Sequence, residues 1–367
     1  MNIRPIRKNY KIFLWIAILL LLYLCYIQID RTEVGETNFV EILCIDKNKE
    51  QYTITGFYDN AASKNDNGLK MIDGSGDSVY TAYIDMSRKN AKNISLDHTA
   101  YFMLGEKAAS YGLDHCLDFI SREPDMKTNA KIFILKTKNV NALLEDALEK
   151  EFAPSDTLEA ISNKQTNNLK KPMNTLLQVL NNMEHNYNNL LLPYLIYEDN
   201  AMYLEGYATF KNGKLYSYLN YELSQAIDLY RNNLRTCPLD LGSEVSVQLL
   251  DIVTTPEVDI VEDTLNINMK LKAESTIKEA TDIENVLAEQ NRNRIAELER
   301  YKLTENLLDI LFIMKNDKLD LLNIGSSLEK KSNELPTNSS WDSYLNNLNV
   351  SLTIDLDTVK TYTLETD

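Results

Sequence analysis

One cysteine of this 367-residue chain stands where its sulfur could be modified. Cys25 closes the run Leu22-Tyr-Leu-Cys25, near the far end of an unbroken apolar stretch from Ile12 to Ile27 that follows Arg4, Arg7, Lys8 and Lys11. A thiol in that setting can accept a diacylglyceryl group and become the N-terminus of the mature chain. Leu24 stands directly before it, where the lipid-transfer and cleavage enzymes favour Gly, Ala or Ser. The stretch has two other readings. At ~1.5 Å per helical residue it covers roughly 24 Å, the short limit for crossing a hydrocarbon core and the long limit for a cleavable signal. In every reading the cations before it and the Asp30, Arg31, Glu33 cluster after it put the N-terminus in the cytoplasm and the body outside.

The remaining reactive residue types are scattered. His98, His115 and His185 have no histidine neighbour at ligand spacing, and Cys44, Cys116 and Cys237 form no CxxC pair. No zinc site or disulfide framework is expected, and the three thiols read as buried core residues. Gly74-Ser-Gly76 has two glycines but no lysine, so it reads as a flexible loop and not as a phosphate cradle. The acidic pairs Asp317/Asp320 and Glu284/Glu289 read as solvated helix faces. No GxSxG, Walker A or GxGxxG fingerprint occurs. The expectation is a non-enzyme with no catalytic residue, no metal and no cofactor.

Charge narrows the partners. The chain has 38 Lys and Arg against 54 Asp and Glu, a net charge of −16, and the body without its N-terminal cations is more acidic still. Such a surface does not bind nucleic acid, which needs clustered cations, and is not held on anionic lipid. No apolar stretch after Ile29 approaches membrane-spanning length. The partners expected are proteins, beside a membrane reached through the N-terminal segment.

The elements that carry these residues alternate between hairpins and helices. Glu41 to Phe57 reads as a hairpin turning at Asp46-Lys-Asn-Lys49, and Asn60 to Gly76 as a long exposed loop. Val79 to Met86 reads as a strand, Ala100 to Leu104 as a short apolar run, and Ala108 to Ile120 as a helix stopped at Arg122-Glu-Pro124. Ala130 to Leu135 is strand-like, and Val140 to Leu148 begins an amphipathic helix. Pro154 to Asn168 is polar, Thr175 to Met183 helical, and Leu190 to Tyr197 opens a second domain. Met202 to Leu219 is the clearest hairpin, because Asn212-Gly213 lies between alternating strands and both turn residues need positive φ. Ser224 to Leu234 reads as a short helix, and Val245 to Leu250 and Leu265 to Ala273 as strands. A long helix is expected from Thr276 to Met314, bending near Lys302, and a final strand over Val350 to Leu356. The fold class is α+β: a multi-domain ectodomain of mixed or antiparallel sheets with packed helices. The divisions expected are 1–30 for the anchor, 31–190 for one domain and 191–367 for another.

Four segments carry a family likeness. Between Glu33 and Gly56, EILCIDKNKEQYTITG is similar to a strand, an Ile-Asp turn and a second strand. From Asp97 to Leu135, DHTAYFMLGEKAASYGLDHCLDFISREPDMKTNAKIFIL is similar to a strand, Gly-Glu, helix and acidic Arg-Glu-Pro turn before the next strand. From Gly206 to Glu222, GYATFKNGKLYSYLNYE resembles a family hairpin and helix start. Asp320 to Gly325 with Trp341, Leu352, Ile354 and Leu356 resembles the C-terminal segment. In this order they resemble the Ger(x)C family, the GerAC-like C subunits of bacterial nutrient germinant receptors. Departures are Cys44, where the family usually has Gly, and Asp228-Leu-Tyr230, where a tryptophan is common.

The resemblance implies a non-catalytic subunit needed for germination in response to nutrients, lipidated at Cys25. It would work with membrane-embedded A and B subunits at the inner spore membrane. Two other readings stay open from the residues alone: a membrane-anchored extracytoplasmic hydrolase, and a scaffold or adhesion ectodomain. The surfaces expected to dock partners are the hairpin Gly206 to Leu219 and the acidic segment Thr276 to Arg300.

Overall fold

Three runs, Ile42-Leu-Cys-Ile45, Phe102-Met-Leu104 and Ile132-Phe-Ile-Leu135, lack polar alternation, as strands covered on both faces require. In the computed structural model they form β2 (Ile42–Asn48), β6 (Tyr101–Gly105) and β7 (Lys131–Leu135). The structure describes residues 13–23, 36–59, 69–137, 140, 153–171, 174–183, 190–198, 201–242, 245–281, 288–329 and 338–360. β2, β6, β7 and β8 (Leu191–Glu198) are parallel neighbours. Antiparallel pairs extend them on both sides: β3 (Gln51–Asp59) with β4 (Leu69–Gly76), and β9 (Ala201–Lys211) with β10 (Lys214–Asn220). The result is an eight-stranded mixed sheet in the order β10-β9-β8-β7-β6-β2-β3-β4. A small parallel pair, β1 (Thr37–Phe39) and β5 (Asn93–Ser95), stands apart from it.

Helices cover both faces of this sheet. One core holds Val79, Ala82 and Met86 of α1 (Val79–Lys89), residues of α2 (Glu106–Tyr111) and α3 (Leu113–Arg122), and Leu176 and Val179 of α5 (Leu176–Met183). The other face packs Leu158 and Ile161 of α4 (Pro154–Asn168) against Ile42, Cys44, Met103 and Phe133.

The second sheet is built differently. Its order is β11 (Cys237–Asp240), β12 (Val245–Val261), β13 (Thr264–Ala280) and β14 (Leu348–Lys360), antiparallel except for the parallel β13–β14 pair. From Leu265 to Ala273 β13 alternates: Leu265, Ile267, Met269 and Leu271 are buried, while Lys270 and Lys272 face outward. Its inner face packs against α6 (Tyr221–Tyr230), α7 (Glu289–Asp317), α8 (Ile324–Glu329) and α9 (Asn338–Asn346), which contributes Trp341.

The α+β class is as expected, and several elements differ from expectation. Val79–Lys89 is a helix because Ser78 and Thr81 form a reciprocal capping box and Val79, Ala82 and Met86 fall on one helical face. Residues 69–76 of the expected loop are β4, paired along β3. Thr276 to Ala280 extend β13 instead of opening the long helix, since β12 offers them a ladder from Val245 to Gln248. The helix begins at Glu289 and runs unbroken past Lys302. The expected helix Ala108 to Ile120 is interrupted at Gly112, whose φ is 148°. Val140 is helical, and the rest of the helix expected from it lies outside the described residues. β8 to β10, which follow the expected division at 190/191, pair into the first sheet, and the change of sheet comes between Asn220 and Cys237.

Candidate functional site at the junction of the two sheets

The segment joining the two sheets is α6 and the turn after it. Asn220 caps the helix by accepting from the Leu223 amide at 3.0 Å. At the other end Asn232 takes a left-handed φ of 56°, which asparagine tolerates better than most residues. Ala226, Ile227, Leu229 and Tyr230 are buried apolar residues of this helix, and Asp228 is buried among them.

Polar groups gather around Asp228 and the turn that follows it. The Tyr207 hydroxyl on β9 donates to its Oδ2 at 2.7 Å, and Asn233 Nδ2 donates to Oδ1 at 3.4 Å. Arg231 reaches the segment before α8, donating from Nε to the Leu321 carbonyl at 2.6 Å and from a terminal nitrogen to the Asp320 carbonyl at 3.2 Å. Asp320, fully buried, accepts the amides of Ile324 and Gly325 at 2.7 and 2.8 Å, which orders the start of α8. From the first half, Lys170 Nζ donates at 2.6 Å both to Asn232 Oδ1 and to the Ile252 carbonyl on β12. The same Asn232 oxygen accepts the Thr254 amide at 3.1 Å. Backbone bonds Lys170 N to Asn233 O and Arg235 N to Asn168 O stitch the two chain segments together.

The electrostatics follow from this burial. Desolvation pushes Asp228 and Asp320 up to about 6, against the pull of the Arg231 guanidinium and their hydrogen bonds. The Tyr207 phenol is driven well up by burial and by the Asp228 charge. Burial, with Arg235 nearby, lowers Lys170. Asp228 also lines a cleft of about 550 Å³ between α4, β9 and α6, with Gln165, Tyr203 and Tyr221 on its walls. Both Asp228 oxygens are already engaged, and both Asp320 oxygens hold backbone amides. The arrangement ties one half of the molecule to the other.

The residues singled out from sequence lie elsewhere. Cys25 is outside the described residues. Residues 13–23 are helical with their large apolar side chains exposed, Phe13 at 77% and Trp15 at 66%. Among the described residues no helix is long and apolar enough to cross a membrane. His98 sits 2.8 Å from Asp97 and edge-on to Phe39, His115 lies against Tyr111, and His185 is outside the described residues. Among the described residues no group of His, Cys, Asp and Glu converges on a possible metal. Cys44, Cys116 and Cys237 are buried free thiols, and burial pushes Cys116 and Cys237 up to about 12. Gly74 packs β4 against α1: a Cβ there would come within 2.2 Å of the Ala82 carbonyl oxygen.

Asp317 and Asp320 do not form a dyad. The Asp317 carboxylate accepts from the Tyr216 hydroxyl at 3.1 Å, whereas Asp320 is buried and not a solvated face. Glu289 begins α7, and Glu284 lies outside the described residues. The hairpin expected from Met202 to Leu219 is β9 and β10, with Asn212 and Gly213 at φ 50° and 73°. Its tip is engaged, since Gly213 O accepts the Leu113 amide of α3 at 2.8 Å. The acidic segment Thr276 to Arg300 divides between β13 and α7. Sequence reading missed Lys170, Arg231, Asn232 and Asn233. The available signal was a charged residue, Asp228, on the apolar side of a short helix.

Residues 30–197 match the family described as Spore germination protein N-terminal domain, and residues 205–361 match Spore germination B3/GerAC like, C-terminal. No curated protein matches the chain. Its fold is similar to a solved structure described as Crystal Structure of the GerBC protein, with 14% identity and a TM-score of 0.50 over 86% of this chain and 97% of that one. The network crosses the seam between the two family matches, with Lys170 on one side and Tyr207, Asp228, Arg231 and Asp320 on the other. With both family halves present in order on one chain and a related fold beneath them, the chain belongs to the Ger(x)C family of spore germination proteins.

Proposed function

We propose that this chain is the C subunit of a nutrient germinant receptor: a non-catalytic ectodomain tethered at the inner spore membrane, working with integral-membrane A and B subunits. The observation that carries the reading is the ordered pair of family halves, 30–197 and 205–361, joined by a buried network whose acids hold structure. The tether is the cationic and apolar segment ending near Cys25, whose described part, 13–23, exposes its large apolar side chains. Cys25 carries the lipid. Deleting the gene should abolish or strongly slow germination with nutrients, and unchanged germination in a strain without a paralogue refutes the assignment. Pull-down from spore membranes should recover two multi-span proteins. A palmitate-analogue label should be present and disappear in Cys25→Ala; absence of label with retained membrane attachment leaves an uncleaved helix as the tether.

A second reading, an extracytoplasmic hydrolase, draws on one observation: Asp228, with its carboxyl raised to about 6, lines a cleft. Asp228→Asn separates the two. A receptor subunit that still folds keeps germinating, whereas a hydrolase using this acid loses its activity at unchanged protein level.

A further inference from the structure

The turn after α6, Arg231 to Asn233, lines a second cavity of about 560 Å³, within the range of small-molecule sites. Lys170, Lys171 and Arg231 line it, with Asn232, Asn323 and Ser327, and among the described residues no Asp or Glu lines it. In a chain with 54 acidic residues against 38 basic ones, that local composition runs against the average. The nearby carboxylates are turned elsewhere, Asp320 to the amides of Ile324 and Gly325 and Asp228 to Tyr207 and Asn233.

We infer that this cavity binds a small organic anion, carried by a carboxylate or a phosphate group. Lys170 has three ammonium protons; two go to Asn232 Oδ1 and Ile252 O, which are neutral acceptors, and the third remains for a ligand. Among the described residues neither Lys170 nor Lys171 has a carboxylate at ion-pair distance. Arg231 is balanced by Asp228 and Asp320, so the charge available to a ligand is that of the half-buried Lys170 and of Lys171 at the rim, to which a bound anion can present several acceptor oxygens at once. The predominantly polar walls select a compact polar ligand over a lipid chain. They also come from both family halves, Lys170 and Lys171 from the first and Arg231, Asn323 and Ser327 from the second, so an occupied cavity would brace one against the other. The inference does not depend on the receptor reading, because the cavity is complete within one chain.

The test is thermal unfolding of the detergent-solubilised full chain with inorganic phosphate, with malonate, and with sodium chloride at matched ionic strength. Phosphate or malonate should raise the midpoint saturably beyond chloride, and the more effective one names the group recognised. Lys171→Glu changes an exposed rim residue and should keep the midpoint in chloride while weakening the apparent anion affinity at least tenfold. Lys127→Glu, an exposed lysine away from the cavity, should keep the full response. Equal midpoints in all three salts, or an undiminished response in Lys171→Glu, overturns the inference.

Discussion

The two sheets bury comparable apolar strands by opposite means. In the first, neighbouring residues such as Phe102 and Met103 are both fully buried, because helices cover both faces of the parallel strands. In the second, Leu271 is buried and Lys270 is exposed at 59% of its side chain, because helices cover one face only. Asp228, Arg231 and Asp320 cluster at the margin where the sheets meet, whereas the other buried ionic side chains among the described residues are held one at a time, Lys47 on β2 by the Glu50 carbonyl and Glu299 on α7 by Ser275 of β13.

Substitution in adjacent strand positions tests this contrast most strongly. Phe102→Ala should cost about 3–5 kcal/mol and Met103→Ala about 2–5 kcal/mol, although they point to opposite faces. In β13, Leu271→Ala should cost about 2–5 kcal/mol and Lys270→Ala less than about 1 kcal/mol, since its pair with Glu257 is exposed. Chemical denaturation measures all four, and a mild Met103→Ala would erase the contrast. Next comes Arg231→Met, expected to cost about 3 kcal/mol because two carbonyls lose their donor and two buried acids lose their neutralising charge.

The pH dependence is a smaller effect. Asp228 rises from 3.8 to about 6 on folding, so the native state holds its proton more tightly than the unfolded chain. Its contribution is complete below about pH 4 and is lost as pH rises to about 6, by at most about 3 kcal/mol. Melts between pH 4 and 7 should show a shallower fall for Asp228→Asn than for the natural chain, and parallel curves would contradict the assignment. Ser78→Ala, which removes the cap of α1 at the margin of the first sheet, should cost about 1 kcal/mol.

The sequence revealed most where local chemistry and packing agree. Asn212-Gly213 announced its hairpin because the turn itself demands positive φ. Val79 to Met86 misled because Val, Tyr and Ile favour strands, while the deciding signal was a Ser-x-x-Thr box instead of the usual Ser-x-x-Glu. Thr276 and Ile277 misled in the opposite direction, since a spacing of three from Ile277 to Ala280 fits a helix but the β12 ladder captures both. Asp320 was visible as part of a family segment, yet nothing local told that its carboxylate would hold two amides of α8. Arg231 and Lys170 were out of reach for a related reason: their partners lie 62 to 90 positions away, and Asp228 takes its meaning from Tyr207, on strand β9, 21 positions back.

The parallel pairing of β14 with β13 has a consequence for biosynthesis. Asn266 and Asn349, hydrogen-bonded across that pair, are 83 residues apart. At ribosomal rates of about 5–20 residues per second, the β12–β13 hairpin waits roughly 4–17 s before its last neighbour exists. During that interval β13 presents an open edge, a template for pairing with another nascent chain. Lys270 and Lys272, on the outward face of that strand, would act as gatekeepers that discourage such pairing until β14 arrives.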